Sequence, residues 1–215
     1  LVEMKNVLVT GGNGFLGSFL VQELVERKYN VLVIDNNSAI GGIVYINPNV
    51  NFIKGDIRDK KIYKKLNKYK IDVVYHLAAQ SAGETAYDDP EKDILTNTLG
   101  TYLLAKFCIE NKVKKIIYTS TVAVYGNKTG IIRENSSIEP DSIYGASKYT
   151  GELLIKQITR NTKTKFTIFR VFNVYGPGEN LNFRKKGMVS IYLSYVWKKE
   201  PIIVKGSTKR YRDLT

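Results

Sequence analysis

The chain has 215 residues, and its hydrophobic fraction of 43% is large enough for one domain with a substantial core, or for one domain and part of another. No run of about 18 apolar residues occurs, so no membrane span is predicted. The first residues show neither a basic leader nor an apolar h-region, so no secretory signal is predicted. The single cysteine, Cys108, excludes an intrachain disulfide and is typical of a reducing, cytoplasmic setting.

The formal net charge of +13 would suit a nucleic-acid or anionic membrane partner. The lysines are scattered, however, with one group around the helical stretch that begins at Lys60 and another between Lys112 and Lys115. No aromatic-flanked RNA-binding motif accompanies them. We therefore interpret them as solvated surfaces and expect neither a nucleic acid nor a membrane as partner, although a phosphorylated substrate would benefit from the positive field.

Short runs rich in Val and Ile alternate with helical stretches along most of the chain. The predicted strands are Asn6–Thr10, Asn30–Asp35, Asn51–Lys54, Val73–Leu77, Lys115–Ser120 and Lys165–Val171. The predicted helices between and after them are Phe15–Arg27, Lys60–Tyr69, Asp93–Asn111 and Tyr144–Asn161. Several strands are apolar on both faces, as buried parallel strands are. This order predicts an α/β fold with a doubly wound parallel sheet.

Beyond Tyr175 the alternation weakens at a loop that contains Gly176, Pro177 and Gly178. A helical stretch over Gly187–Lys199 and a strand over Pro201–Lys205 are predicted there. The aromatic residues Tyr192, Tyr195 and Trp197 recur at helical spacing, and we interpret them as core or interface residues.

A glycine-rich turn lies between the first strand and the first helix. Gly11, Gly14 and Gly17 lack a Cβ, which permits positive φ and a close approach of the backbone to a pyrophosphate. The helix that starts with Phe15 and Leu16 would present unpaired N–H groups to that anion. The alternative is a tight turn without a ligand. The position after a strand and before an amphipathic helix favours a dinucleotide site of the Rossmann type.

Two acids follow the second and third strands. Asp35 could bind the adenosine ribose hydroxyls, and because its charge would repel a 2′-phosphate it favours NAD over NADP. Asp56, with Ile57, could flank the adenine. The alternative for Asp56 is a cap for the helix that follows, and both interpretations stay open.

A tyrosine and a lysine four residues apart, Tyr144 and Lys148, would share one face of a helix. A free phenol is a poor base at neutral pH, and a nearby cation favours the phenolate, so we expect Lys148 to lower the pKa of Tyr144. The hydroxyl of Thr121 follows the fifth strand, at the sheet end where ligands bind. Thr121 could hold a substrate oxygen near Tyr144; the alternative is a local hydrogen bond to the backbone.

Together these features resemble the extended short-chain dehydrogenase/reductase family, and within it the sugar-nucleotide epimerases and dehydratases. The resemblance covers nearly the whole chain. Its marks are Thr10–Gly17, Asp35, Gly55–Ile57, His76–Gln80, Asn97–Thr101, Thr119–Gly126, Tyr144–Lys148 and Arg170–Pro177.

The resemblance implies an enzyme with NAD as cofactor and a sugar nucleotide as substrate. It implies that Thr121, Tyr144 and Lys148 are catalytic. The residues expected at the cofactor are Gly11, Gly14, Phe15, Leu16, Gly17, Asp35, Asn36, Asp56, Ile57, Leu77, Ala78, Ala79, Asn97, Tyr144 and Lys148. Those expected at the substrate are Gln80, Ser81, Thr121, Asn173 and Arg212, and no metal site is expected.

The same resemblance implies an NAD-binding Rossmann domain over residues 1–175 and the start of a partial C-terminal substrate-binding lobe over residues 176–215. Family members run further, so this lobe looks incomplete. The resemblance also implies a homodimer built from the helices Asp93–Asn111 and Tyr144–Asn161.

The reaction is predicted from what surrounds the catalytic hydroxyl. A 4,6-dehydratase of this family carries an Asp-Glu pair just after it, and Val122 and Ala123, which stand there, can act as neither acid nor base. A 4-epimerase needs no further acid or base, so we expect an epimerase. The alternatives are a 4-dehydrogenase that releases the keto sugar and, less favoured, a dehydratase or a non-catalytic relative. Glu84 stands where the epimerases commonly have Arg, which leaves the sugar open.

Two other residues receive structural interpretations. His76, the only histidine, ends a buried strand and is interpreted as a core residue. Cys108 is interpreted as a buried helix residue without a base partner.

Overall fold

The computed structural model describes residues 5–38, 48–204, 206 and 213–215. Six parallel strands form one sheet in the order β3-β2-β1-β4-β5-β6. Their bounds are β1 Asn6–Thr10, β2 Asn30–Asp35, β3 Asn51–Lys54, β4 Val73–His76, β5 Lys115–Thr121 and β6 Lys165–Val171. The order reverses between β1 and β4, which is where ligands bind in doubly wound sheets.

Helices cover both faces of the sheet. They are α1 Phe15–Glu26, α2 Lys60–Leu66, α3 Gly83–Asp88, α4 Pro90–Ile94, α5 Thr101–Glu110, α6 Ile143–Thr159 and α7 Met188–Trp197. A π-helical segment, Leu95–Gly100, joins α4 to α5, and a 3₁₀ turn, Val122–Tyr125, follows β5.

The core lies on the two faces of the central strands. Leu8 and Leu32 pack with residues of α2, α5 and α6 on one face. Val7 and Val9 pack with residues of α1 on the other. Because successive side chains in a strand point to opposite faces, apolar runs in β1 and β2 fill both layers at once. The doubly wound α/β fold predicted from the sequence is therefore confirmed.

The structure corrects three details of the prediction. The short helix α3 was not predicted. The single helix predicted over Asp93–Asn111 begins at Pro90 and is interrupted by the π-helical segment. The strand predicted over Pro201–Lys205 is wrong for residues 201–204, which are exposed and pair with no strand of the described chain, and Lys205 lies outside the described residues.

The segment after β6 is described only in part, so the division into two domains at residue 175 stays a prediction. Within it, Trp197 is 78% exposed, so it is not a core residue of the described chain, and its interpretation as an interface residue stays a prediction. No helix in the described ranges combines the length and the apolar character needed to cross a membrane.

Candidate active site

The turn after β1 brings three backbones together. A Cβ on Gly17 would lie 2.0 Å from the carbonyl oxygen of Gly11, and a Cβ on Gly11 would lie 2.6 Å from the amide nitrogen of Ala78. Gly11 also has a φ of +75°, which favours glycine. The turn can therefore be this tight only because both positions lack a side chain.

The first turn of α1 is open to an anion. Its N-cap is Gly14, and no side chain of the described residues caps it. The first backbone amides of a helix have no hydrogen-bond partner within the helix, and the positive end of the helix dipole lies beside them. Phe15 and Leu16 begin the helix, with Leu16 exposed. These features fit the pyrophosphate of a dinucleotide.

Asp35 at the end of β2, where the ribose contact is expected, holds the glycine turn. Its Oδ2 accepts a hydrogen bond from the Asn13 amide at 2.9 Å, and its Oδ1 accepts one from the Asn37 amide at 2.7 Å. The Asn13 side chain also donates to Asn37 Oδ1 at 2.8 Å. Sequence reasoning missed Asn13 and Asn37, because their roles depend on a loop that returns to the turn.

Asp56 is the partner of an arginine and not the helix cap. It accepts bonds from Arg58 Nε at 2.9 Å and Nη2 at 2.7 Å, and from Asn36 Nδ2 at 3.0 Å. The Arg58 hydrogen bond is the main reason that the pKa of Asp56 is well below its usual range. The cap of α2 is Asp59, so the capping interpretation of Asp56 is wrong. Ile57 is buried beside Gly100.

The start of α6 packs against the turn that follows Thr121. A Cβ on Gly145 would lie 2.5 Å from the carbonyl oxygen of Ala123, so this glycine lets the neighbouring Tyr144 approach β5. Thr121 Oγ1 accepts a bond from the Ala123 amide at 3.2 Å, which confirms the local interpretation of this hydroxyl without removing it from the site.

Lys148 is buried and Tyr144, one helical turn earlier, is half-buried. Lys148 is 2% exposed, and its ammonium lies 4.2 Å from the centre of the Tyr118 ring. Such a cation and ring pair stabilises a charge that has lost its water. A tyrosine and a lysine that pointed into bulk water would have contradicted the sequence interpretation, and the structure shows the opposite for the lysine.

Burial dominates the titration of both groups. It raises the pKa of Tyr144 to about 12, against the opposing effect of a hydrogen bond with Thr121. It lowers the pKa of Lys148 to about 7, opposed by the charges of Asp93 and Glu152. The net change in the pKa of Tyr144 is therefore upward, because loss of hydration outweighs the hydrogen bond with Thr121 and the charge of Asp93 adds to the rise. The lowering effect expected of Lys148 stays a prediction.

Asn97 joins the loop after β4 to α6. Its Oδ1 accepts from the Gln80 amide at 2.9 Å, and its Nδ2 lies within hydrogen-bonding distance of the Gln80 carbonyl, at 3.0 Å, and of Ser147 Oγ, at 3.1 Å. Asn97 lies in the π-helical segment, a rare turn that is frequent at functional sites. The extra residue in this turn was not visible in the sequence pattern.

His76 continues this polar chain toward the glycine turn. Thr101 Oγ1 donates to the Asn97 carbonyl at 2.6 Å, so it accepts from His76 Nε2 at 2.9 Å. His76 Nδ1 then accepts from Thr10 Oγ1 at 2.8 Å. Burial lowers the pKa of His76 to about 3, so the ring is neutral in this one tautomer. The core interpretation is confirmed, and the ring also links the sheet to the site.

The residues expected at the substrate make different contacts in the structure. The Gln80 side chain folds onto its own loop and bonds the backbone of Ala82 in both directions. Ser81 Oγ accepts from Lys186 Nζ at 2.9 Å, a lysine that sequence reasoning missed. Asn173 donates its amide to the Asp213 carbonyl at 3.0 Å. Arg212 lies outside the described residues.

The remaining cofactor residues lie near these groups. The Leu77 amide donates to the Thr10 carbonyl at 3.0 Å, Ala78 lies beside Gly11, and Ala79 follows it in the chain. A glycine turn at the sheet's reversal point, an acid at the end of β2 and a helix with a half-buried tyrosine and a buried lysine together define a Rossmann-type dinucleotide-binding protein.

Comparison with known proteins identifies the family. The model of the NAD dependent epimerase/dehydratase family matches residues 7–215. A putative UDP-glucose 4-epimerase of Methanocaldococcus jannaschii is 36% identical over 209 residues, which is 96% of this chain and 68% of the relative. The chain therefore belongs to the NAD-dependent epimerase/dehydratase family, an enzyme family, and its cofactor is NAD.

Solved structures agree. The Thermotoga maritima UDP-glucose 4-epimerase, solved with UDP-glucose, superposes with a TM-score of 0.91 at 33% identity, over 97% of this chain and 68% of that protein. The Thermus thermophilus UDP-glucose 4-epimerase, solved with NAD, superposes with a TM-score of 0.85 at 33% identity, over 92% and 64%. This chain thus spans about two thirds of the length of each.

Proposed function

We propose that the protein oxidises a sugar-ring carbon of a sugar nucleotide, C4, and acts as a 4-epimerase. The proposal rests on one observation. Thr121, Tyr144 and a buried Lys148 lie near the carboxyl end of β5, and the glycine turn follows the carboxyl end of β1 at the same edge of the parallel sheet. The similarity to UDP-glucose 4-epimerases supports the substrate class.

Tyr144 is the base in this proposal. Its oxygen takes the proton of the C4 hydroxyl, while Thr121 donates a hydrogen bond to the sugar oxygen. When bound, NAD would supply the acceptor for the hydride from the same carbon. Because burial holds the pKa of Tyr144 near 12, loss of its proton requires positive charge close by, and Lys148 one helical turn later supplies part of it.

Epimerisation follows if the 4-keto sugar turns over before the hydride returns to its other face. Tyr144 then gives its proton back, so no net oxidation occurs and no further acid or base is needed. The 3₁₀ turn after Thr121 supports this outcome over dehydration, because Val122 and Ala123 begin it and neither can remove or donate a proton for loss of water.

The second candidate is a 4-dehydrogenase that releases the keto sugar, and it would use the same three residues. We expect a purified sample incubated with UDP-glucose, UDP-N-acetylglucosamine or dTDP-glucose to give a C4 epimer by NMR, with no net reduced nicotinamide. Keto sugar formed in equal amount to reduced nicotinamide would establish the dehydrogenase. Absence of any product across the panel, with NAD bound, would contradict both.

We also propose a homodimer formed by exposed apolar side chains of the segment from α4 to α6. Ile94, Leu99, Tyr102 and Leu153 are exposed on the α4 to α6 layer, with exposed fractions of 38 to 50%. We expect light scattering to give a dimer and Leu153→Lys to weaken it, whereas Ile131→Lys, at an exposed position outside these helices, should not. A monomeric wild-type protein would contradict this proposal. The cytoplasmic setting stays a prediction.

A further inference from the structure

The buried layer behind Lys148 holds two carboxylates that the proposed chemistry does not use. Glu152 is fully buried and ion-paired: Arg170 donates to both of its oxygens, Nε at 2.9 Å and Nη2 at 2.7 Å, and Lys156 lies 3.7 Å away. Ser120 also donates to it at 2.6 Å. The charge of Glu152 is therefore balanced by Arg170 and Lys156, neither of which belongs to the proposed catalytic set.

Asp93 is also fully buried, but it makes no ion pair among the described residues. Its two oxygens accept hydrogen bonds only from neutral groups, the Ser147 hydroxyl and, at 3.2 Å, Asn97 Nδ2. Burial raises the pKa of Asp93, and the hydrogen bonds from Ser147 and Asn97 and the charge of Lys148 oppose that rise. A buried carboxyl with neutral donors alone either takes up a proton or is balanced by a cation nearby.

The cation that meets this requirement is Lys148. It follows Ser147 directly, it is as buried as Asp93, and it too makes no ion pair among the residues that the structure describes. The titratable groups that face it are Asp93 from α4, His76 from β4, Tyr118 from β5 and Glu152 from α6, with Tyr144 one turn earlier. His76 and the two tyrosines are neutral, and Glu152 is paired with Arg170.

We propose that Asp93 is a positioning residue that keeps Lys148 protonated, acting through charge across the Ser147 bond and without touching substrate or cofactor. The proposal rests on the proposed function only for its effect on catalysis. Its structural part, the coupling of two buried charges, stands without it. The direction of the effect of Asp93 on the pKa of Lys148, upward, agrees.

The variant that tests the proposal is Asp93→Asn, which keeps an oxygen to accept from Ser147 and removes the charge. We expect the pH at which Lys148 loses its proton to fall by about one unit. NMR of a protein labelled at lysine side chains measures this midpoint, with the Lys148 signal assigned by its loss in Lys148→Met. Because the ammonium is the active form, the high-pH limb of kcat should move to lower pH by the same amount.

Two matched variants separate charge from packing. Glu91→Gln removes an exposed carboxylate from the same helix α4 and should leave both midpoints unchanged. Ser147→Ala removes the hydrogen bond but no charge, so it should lower kcat with a much smaller displacement of the limb. An equal displacement by Ser147→Ala, or none by Asp93→Asn, would overturn the proposal.

A double-mutant cycle on stability keeps the proposal testable if Asp93→Asn folds poorly. Each single change, Asp93→Asn or Lys148→Met, leaves one buried charge without its partner, whereas the double variant leaves neither. We expect urea unfolding to show a double variant that loses clearly less stability than the sum of the single losses, and additive losses would overturn the coupling. These readouts need no substrate, so failure of the proposed epimerase activity would leave their result interpretable.

Discussion

Two regions form the candidate active site, and they are built by opposite means. The glycine turn after β1 works through missing side chains, because Gly11 and Gly17 leave room that no Cβ could share. The layer behind α6 works through buried side chains, with Asp93, Lys148 and Glu152 all less than 3% exposed. The first region tolerates no added atom, and the second tolerates no unbalanced charge.

This difference teaches where each region is sensitive. The turn should respond most strongly to added volume. The polar layer should respond to charge and pH and be less sensitive to small changes of volume. His76 and Thr101 connect the two, so a change in one region reaches the other through a few hydrogen bonds.

The largest expected effect comes from adding a methyl group to the turn. In Gly17→Ala the new Cβ would lie 2.0 Å from the Gly11 carbonyl oxygen, and both are backbone positions that cannot rotate away. We expect a loss of about 3 kcal/mol in unfolding free energy, measured by urea, together with loss of NAD binding. Gly83→Ala, where nothing lies within 4 Å, is the control and should change stability by less than about 0.5 kcal/mol. Equal stability of the two variants would show that the turn is looser than described.

The next effect is on pH dependence and belongs to the polar layer. His76 has a pKa of about 3 when folded, against a usual 6.5, so the unfolded chain binds more protons between these values. Stability is therefore fully present above pH 6.5 and is lost as pH falls toward 3. By about pH 4.5 the loss should reach roughly 2 to 3 kcal/mol.

Since His76 is the only histidine, the variant His76→Gln isolates this contribution. Urea unfolding of both proteins across the same pH range should show a steeper acid loss for the wild type. Parallel curves would mean that the ring is not held neutral, and the link between the two regions would then need another explanation.

The smallest expected effect is at Asp35, a charged side chain that holds the backbone of the glycine turn. Asp35→Asn keeps one acceptor for the amides of Asn13 or Asn37 but removes the charge that is expected to bind the ribose. We expect NAD to bind about tenfold more weakly, a change of about 1.4 kcal/mol, with weaker discrimination against NADP. Calorimetric titration with each nucleotide measures both. An unchanged ratio of the two affinities would contradict the ribose role.

The turn could be read from the sequence and much of the polar layer could not. All six strands were predicted to within one residue, because Val and Ile runs mark buried parallel strands directly. The glycine-rich turn from Gly11 to Gly17 and the acid Asp35 could be recognised from their positions directly after predicted strands. The spacing of Tyr144 and Lys148 was likewise sufficient to place them on one helix face.

The polar layer depends on contacts between distant positions, which a local pattern does not contain. Asp93 and Ser147 are 54 residues apart, and Glu152 and Arg170 are 18 apart. In a sequence, an acid on a helix is ordinarily a solvent-facing residue, so neither acid was recognised as buried. The π-helical segment adds one residue to a turn, which shifts the faces of the helix without any change of composition.

The central claim is that Tyr144 moves the proton while hydride leaves the sugar. Its most direct test is single-turnover formation of reduced nicotinamide from UDP-glucose in the wild type, in Tyr144→Phe and in the control Tyr149→Phe, alongside NAD affinity. We expect Tyr144→Phe to be slower by about a thousandfold with NAD affinity nearly unchanged, and Tyr149→Phe to stay close to the wild type. A Tyr144→Phe protein that reduces NAD at the wild-type rate would contradict the account.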